Sequence, residues 1–158
     1  MLRRIRRPEA PESLLRNWSP IPVGEPNIAY AAYFSDRSYL NPLARSPVES
    51  EGGTFEPFCR NDWHIHQAES GGWQILIVAE GTGLCQEWGC PARQLVTGDA
   101  VFINPNVKHW LGGAPDECFR HIAIEIPGTS NSTQRLERGR DADYLKTTQK
   151  LRAIPTNL

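Results

Sequence analysis

All four histidines of this 158-residue chain lie between positions 64 and 121, and their spacing suggests a metal site. In His64-Ile65-His66 the two imidazoles point the same way if the segment is a strand, because strand side chains alternate with period 2. A neutral imidazole is the commonest biological metal ligand, and His109, arriving from another strand, would supply a third. Gln74 opens a run, residues 73–80, in which Gln74, Leu76 and Val78 share one face and Trp73, Ile75 and Ile77 the other. Both faces are apolar apart from Gln74, so the run is expected to be buried on both sides. A buried amide left unpaired costs ~1–3 kcal/mol, and the Gln74 carbonyl oxygen could instead coordinate the metal. A neutral amide in place of a carboxylate leaves the ion more Lewis-acidic.

A second constellation follows. His121, Ala123 and Glu125 share one strand face, opposite Ile122, Ile124 and Ile126. Turned inward, that face puts an imidazole and a carboxylate near the metal, a pairing suited to proton transfer. Turned outward, it is the solvent face of an antiparallel strand. Trp63, Trp73 and Trp110 each neighbour a proposed ligand, so they point away from it and are expected to pack the other face or a subunit interface.

The elements that must hold these groups are short. Gly, Pro and Asn punctuate β-prone runs at residues 54–56, 62–67, 73–80, 84–88, 93–96, 100–104, 108–111 and 119–126, with Gly81-Thr82-Gly83 as a turn. An earlier strand is expected over residues 28–34. Asn41-Pro42 and Ser46-Pro47 mark residues 37–50 as loop. Such punctuation indicates an all-β sandwich or barrel. Residues 1–27, rich in proline, read as an extended arm with one helical turn near Glu12, residues 28–128 as the barrel, and residues 129–158 as a tail. In that tail Asp141 or Asp143 could cap a short helix carrying Tyr144, Thr148 and Leu151 on one side.

A net charge of −1 gives no electrostatic case for nucleic acid or an anionic membrane, and no apolar run reaches the ~20 residues of a membrane span. Arg3, Arg4, Arg6 and Arg7 make a basic N-terminus without the apolar core of a secretory signal. Cys59, Cys85, Cys90 and Cys118 lack zinc-site spacing and read as reduced thiols, buried or on edge strands, in a cytoplasmic setting.

The order of these motifs resembles the cupins, small β-barrels with two signatures. His64, His66, Gln74 and Gly81 fit the first, with Gln74 in the Glu position and seven residues between His66 and Gln74 where three or four are usual. Gly98, Asn104-Pro105-Asn106 and His109 fit the second, with Asn106 where glycine is usual. The resemblance covers about residues 52–127 and implies a single cupin barrel (jelly roll) with one divalent metal, Mn, Fe, Zn or Ni, with Mn or Fe favoured. It implies His64, His66, Gln74 and His109 as ligands, with Glu69 in the lengthened loop as a competing carboxylate. Trp63-His64, Gln74-Ile75-Leu76-Ile77-Val78 and Lys108-His109-Trp110 are similar to the small cupins grouped with carboxymuconolactone decarboxylases and to manganese hydroxynitrile lyases. Those lyases carry a further histidine where this chain has Leu111. His121 matches a histidine of their pocket, and Glu125 stands in place of a glutamine.

The resulting expectation is an enzyme whose metal acts as a Lewis acid on a small organic substrate, with His121 and Glu125 moving a proton in lyase, decarboxylase or isomerase/cyclase chemistry. The same ligands suit an Fe(II) dioxygenase, and the altered positions Gln74, Asn106 and Leu111 suit a small-ligand-binding cupin without catalysis. Family resemblance implies a homodimer.

Overall fold

The longest strand runs through the segment where a turn is expected. In the computed structural model, which describes residues 21–153, Gln74–Glu87 is one unbroken strand, β6. Gly81 allows this. Its φ is +76°, and a Cβ there would lie 1.9 Å from the Cys118 carbonyl oxygen, so only glycine fits the bend. Before the bend β6 pairs with β8 (Ala100–Ile103) and β10 (Phe119–Glu125); beyond it, with β7 (Arg93–Val96) and β9 (Lys108–Gly113). One strand thus serves both walls of a curled antiparallel barrel.

The first wall continues through β3 (Glu49–Phe55), β2 (Ser38–Ala44) and β1 (Glu25–Pro26). The second continues from β9 to β4 (His64–Gln67) and then β12 (Ser132–Arg135). A small two-stranded piece, β5 (Ser70–Gly71) with β11 (Gly128–Thr129), ties the loop after the paired histidines to the chain beyond β10. Helix α1 (Asp141–Arg152) follows β12.

Several expectations need correction. Residues 28–34 are not a strand: Ala31–Tyr33 forms a 3-10 turn, started by the Asn27 side chain accepting from the Tyr30 N–H, and Ile28 is 82% exposed. Residues 37–50 are not all loop, because β2 runs through Asn41-Pro42. Proline is accommodated there because β1 reaches only to Leu40, so the missing N–H is on an unpaired edge, and the register slips between Pro42 and Ala44. The outer face of the run 73–80 is not buried, with Ile77 at 37% and Trp73 at 42% exposure. Residues 132–135, expected in the tail, pair with β4 beside the histidines. Neither Asp141 nor Asp143 caps α1: Arg140 holds the N-cap position without a side-chain bond, Asp141 pairs with Arg60 and Asp143 with Arg140. The expected basic arm and helical turn lie outside the described residues.

Inside the barrel, Phe55, Leu76, Val78, Val101, Ile103, Leu111 and Phe119 form the core together with Cys59 and Cys85. A second cluster lies outside the β4–β9 wall, where Trp110 and Leu84 pack with Tyr144 of α1 and Trp63 borders them. The Tyr144 hydroxyl donates to the Gly113 carbonyl at 2.5 Å, and the Arg60 guanidinium lies 4.7 Å from the Tyr144 ring centre. Trp63 and Trp110 therefore project opposite to His64 and His109, as strand alternation requires. None of the four cysteines is in a disulfide, and Cys59 and Cys85 are buried.

Candidate metal centre

Three imidazoles meet where β4 lies against β9. His64 and His109 are directly opposed in register, and His66 follows two residues along β4 on the same face. Ring centroids lie 4.3 Å apart for His64–His109, 5.0 Å for His64–His66 and 5.3 Å for His66–His109, and one ring nitrogen from each falls within 4.8 Å of the others.

Second partners fix how two rings are used. His64 Nδ1 is 2.8 Å from the Asp62 carbonyl oxygen and His109 Nδ1 is 2.9 Å from that of Val107. A carbonyl only accepts, so each Nδ1 carries the proton and each Nε2 keeps its lone pair. His66 Nε2 and His109 Nε2 are buried with no hydrogen-bond partner. Burial holds the rings neutral: it pushes His64 down to about 2, helped by repulsion from His109, and His66 and His109 to about 4. Buried, neutral nitrogens without partners, converging from two strands, are what a divalent ion needs.

The turn before β9 anchors this arrangement. Asn106 has φ +64°, the left-handed conformation in which Asn is the tolerated alternative to glycine, and so stands in for the usual residue. Its backbone N–H donates to the His66 carbonyl, and its side chain both donates to and accepts from the Ala68 backbone. The exit of β4 is thereby pinned to the entry of β9.

The facing wall is a grid set by register. Along β10, Glu125 lies between Glu49 of β3 and Gln74 of β6, Ala123 between Glu51 and Leu76, and His121 between Gly53 and Val78. Gln74 Nε2 donates to Glu125 Oε1 at 2.5 Å. His121 is fully enclosed, stacked on Phe119 at 5.2 Å and edge-on to Phe55 at 5.2 Å. Burial alone pushes it down to about 4. Glu125 is raised, by burial first and Glu49 second, against the opposing hydrogen bond from Gln74.

Both walls enclose a cavity of about 670 Å³, lined by His64, His66, Gln74, His109, His121 and Glu125. All six residues singled out in the sequence therefore face one space. His121 and Glu125 do not form a pair, however: four residues apart along a strand is ~13 Å, and neither influences the other's titration. Glu69 is exposed and does not line the cavity. Leu111 lines it two residues beyond His109. Sequence reading missed Glu49, Glu51, Tyr30, Tyr33 and Arg135, which line the same cavity from segments without amphipathic alternation.

Comparison with known proteins gives the family. The chain is 32% identical over 118 residues to a protein of Granulicella tundricola named (R)-mandelonitrile lyase, spanning 72% of this chain and 87% of that protein. A cupin-like protein of Thermotoga maritima superposes with a TM-score of 0.72 at 34% identity, over 82% of this chain and 97% of that one. The chain belongs to the small cupins. A predicted oxalate decarboxylase of Thermotoga maritima shares the cupin fold at a TM-score of 0.56 and 15% identity, over 65% of this chain and 91% of that one. No family model matches this cupin. No helix among its described residues is long and apolar enough to cross a membrane.

Proposed function

We propose that the cavity is the active site of a metal-dependent cupin enzyme that cleaves a bond in a small organic substrate by lyase- or decarboxylase-type chemistry. The observation carrying this reading is the cluster of three neutral imidazoles, two of them with buried, unpartnered Nε2 atoms, that lines a 670 Å³ cavity. His64, His66 and His109 would hold the ion, with Gln74 as fourth ligand through Oε1, since Nε2 is committed to Glu125. Such a set accepts Mn, Fe, Zn or Ni, and the bound ion would supply Lewis-acid activation of a substrate oxygen.

The protein's own groups divide the remaining work. Glu125 touches a proposed ligand and has a raised pKa, so it would exchange a proton with substrate beside the metal. His121 would stand at the deeper end between Phe55 and Phe119, a neutral ring able to accept a hydrogen bond or proton from the far side of the substrate. Leu111 supplies an apolar surface where the resembling lyases carry an imidazole, which argues for a substrate other than their cyanohydrins. Similarity to a protein named (R)-mandelonitrile lyase supports the reaction class.

We further propose a homodimer in a reducing, cytoplasmic setting. The outer sheet face of Ile75, Ile77, Phe102, Ile122 and Ile124, with Phe102 at 64% exposure, suits a second copy, and the four free thiols suit the compartment.

The test is a panel of cyanohydrins, hydroxy acids and oxo acids, assayed with metal-loaded protein under anaerobic conditions. The expected result is metal-dependent cleavage that persists without oxygen and is lost in Glu125→Ala. Turnover only with oxygen uptake, or equal turnover in metal-free protein, would contradict the proposal.

A further inference from the structure

Among the described residues, one guanidinium that lines the cavity, that of Arg135, makes no ion pair. Arg135 is the residue of β12 in direct register with His64 of β4, so the two side chains leave the same face of the sheet. It is half-buried, and it lies 4.9 Å from the Tyr33 ring centre and 5.9 Å from that of Tyr30, both of which also line the cavity. Among the described residues Arg135 has these ring contacts and neither an ion pair nor a hydrogen-bond acceptor. Asp62, a carboxylate whose field reaches it, is already engaged by Arg138 at 2.8 Å. Arg60, Arg120, Arg138 and Arg140 each have a carboxylate within 3 Å.

A partly desolvated charge without a counter-ion is costly, and a position flush with a substrate cavity gives it a use. With aromatic rings and no acceptor beside it among the described residues, the guanidinium keeps its N–H donors for the paired bonds that suit a carboxylate. The opposite wall carries Glu49, Glu51 and Glu125, which would repel a second negative group on the same ligand. From this we infer that Arg135 is an anion-binding residue of the cavity and that the substrate is a small monocarboxylate, its carboxylate held by Arg135 beside the histidine cluster. The inference rests on the cavity being the active site, and it names the substrate class that reading leaves open.

The probes are benzoate, its neutral isostere benzamide, and the dianion isophthalate. Each is titrated calorimetrically into the full-length chain, as purified and after chelator treatment, so that carboxylate binding by a metal is separated from binding by Arg135. Charge-assisted bonds predict that benzoate binds roughly tenfold or more tightly than benzamide in both preparations, and more tightly than isophthalate. Arg135→Met is expected to erase the preference for benzoate while metal content stays at the parent's level. Arg135→Lys, which keeps the charge without the planar fork, should retain part of it and serves if Arg135→Met does not fold. Equal binding of benzoate and benzamide, no binding of either, or a preference that survives Arg135→Met would overturn the inference. Tighter binding of isophthalate would overturn its restriction to monoanions. Metal content measured on the same samples tells a failure of Arg135 from a failure of the metal centre.

Discussion

Gln74 and Glu125 are neighbours across β6 and β10, and their side chains share a 2.5 Å hydrogen bond in which the amide donates and the carboxylate accepts. That bond sets the amide's orientation. With Nε2 held by Glu125, Oε1 is the atom left for a metal.

Removing the acceptor should therefore weaken metal binding without removing a ligand. Glu125→Ala is expected to lower metal affinity by ~10–100-fold, the usual effect of losing a group that orients a ligand. Glu125→Gln keeps an acceptor oxygen and should stay near the parent. Competition against a metallochromic chelator measures both, and equal affinity in all three proteins would refute the positioning role.

His121 should leave a signature in acid. Its folded pKa, about 4, lies below the unfolded value of 6.5, so the unfolded chain takes up the proton first. The stability it contributes is complete above pH 6.5 and is lost as pH falls towards 4, by about 3 kcal/mol in all. Urea unfolding of chelator-treated parent and His121→Gln should show the parent losing stability more steeply through this window. The opposing contributions of Glu51 and Glu125, both raised mainly by burial, occur in both proteins and cancel in the comparison. Parallel pH profiles would mean that His121 is not held neutral by burial.

Gly53 makes room for that ring. A Cβ at Gly53 would come within 2.6 Å of His121 Cε1, and the ring cannot retreat between Phe55 and Phe119. Gly53→Ala should cost ~1–3 kcal/mol and lower Tm by roughly 2–10 °C. At Gly52 the nearest atom to an added Cβ is Ile21 Cδ1 at 3.4 Å, so Gly52→Ala is the tolerated control. Thermal melts that do not distinguish the two variants would contradict the packing described.

The contrast between β4 and β12 shows what sequence could and could not give. The shared face of His64 and His66 was legible because side chains two residues apart on a strand point the same way. The partner strand, Ser132-Thr133-Gln134-Arg135, was not, because its inward residues Thr133 and Arg135 are polar and no apolar alternation marks it. The same reason hid Glu49 and Glu51 of β3. Strand β2 was obscured by Pro42, whose place on an unpaired edge only the topology reveals. The continuity of β6 was hidden by glycines that bend a strand here and would usually end one. Grouping His121 with Glu125 by face was sound, but their separation along the strand rules out direct contact.

The proposed metal centre is His64, His66 and His109. Elemental analysis of the purified chain beside His109→Ala tests it most directly. About one divalent metal per chain is expected in the parent and a marked loss in the variant, because His109 Nε2 is one of the converging lone pairs. Equal metal content in the two proteins, or a parent that takes up none when offered Mn, Fe, Zn and Ni, would contradict it.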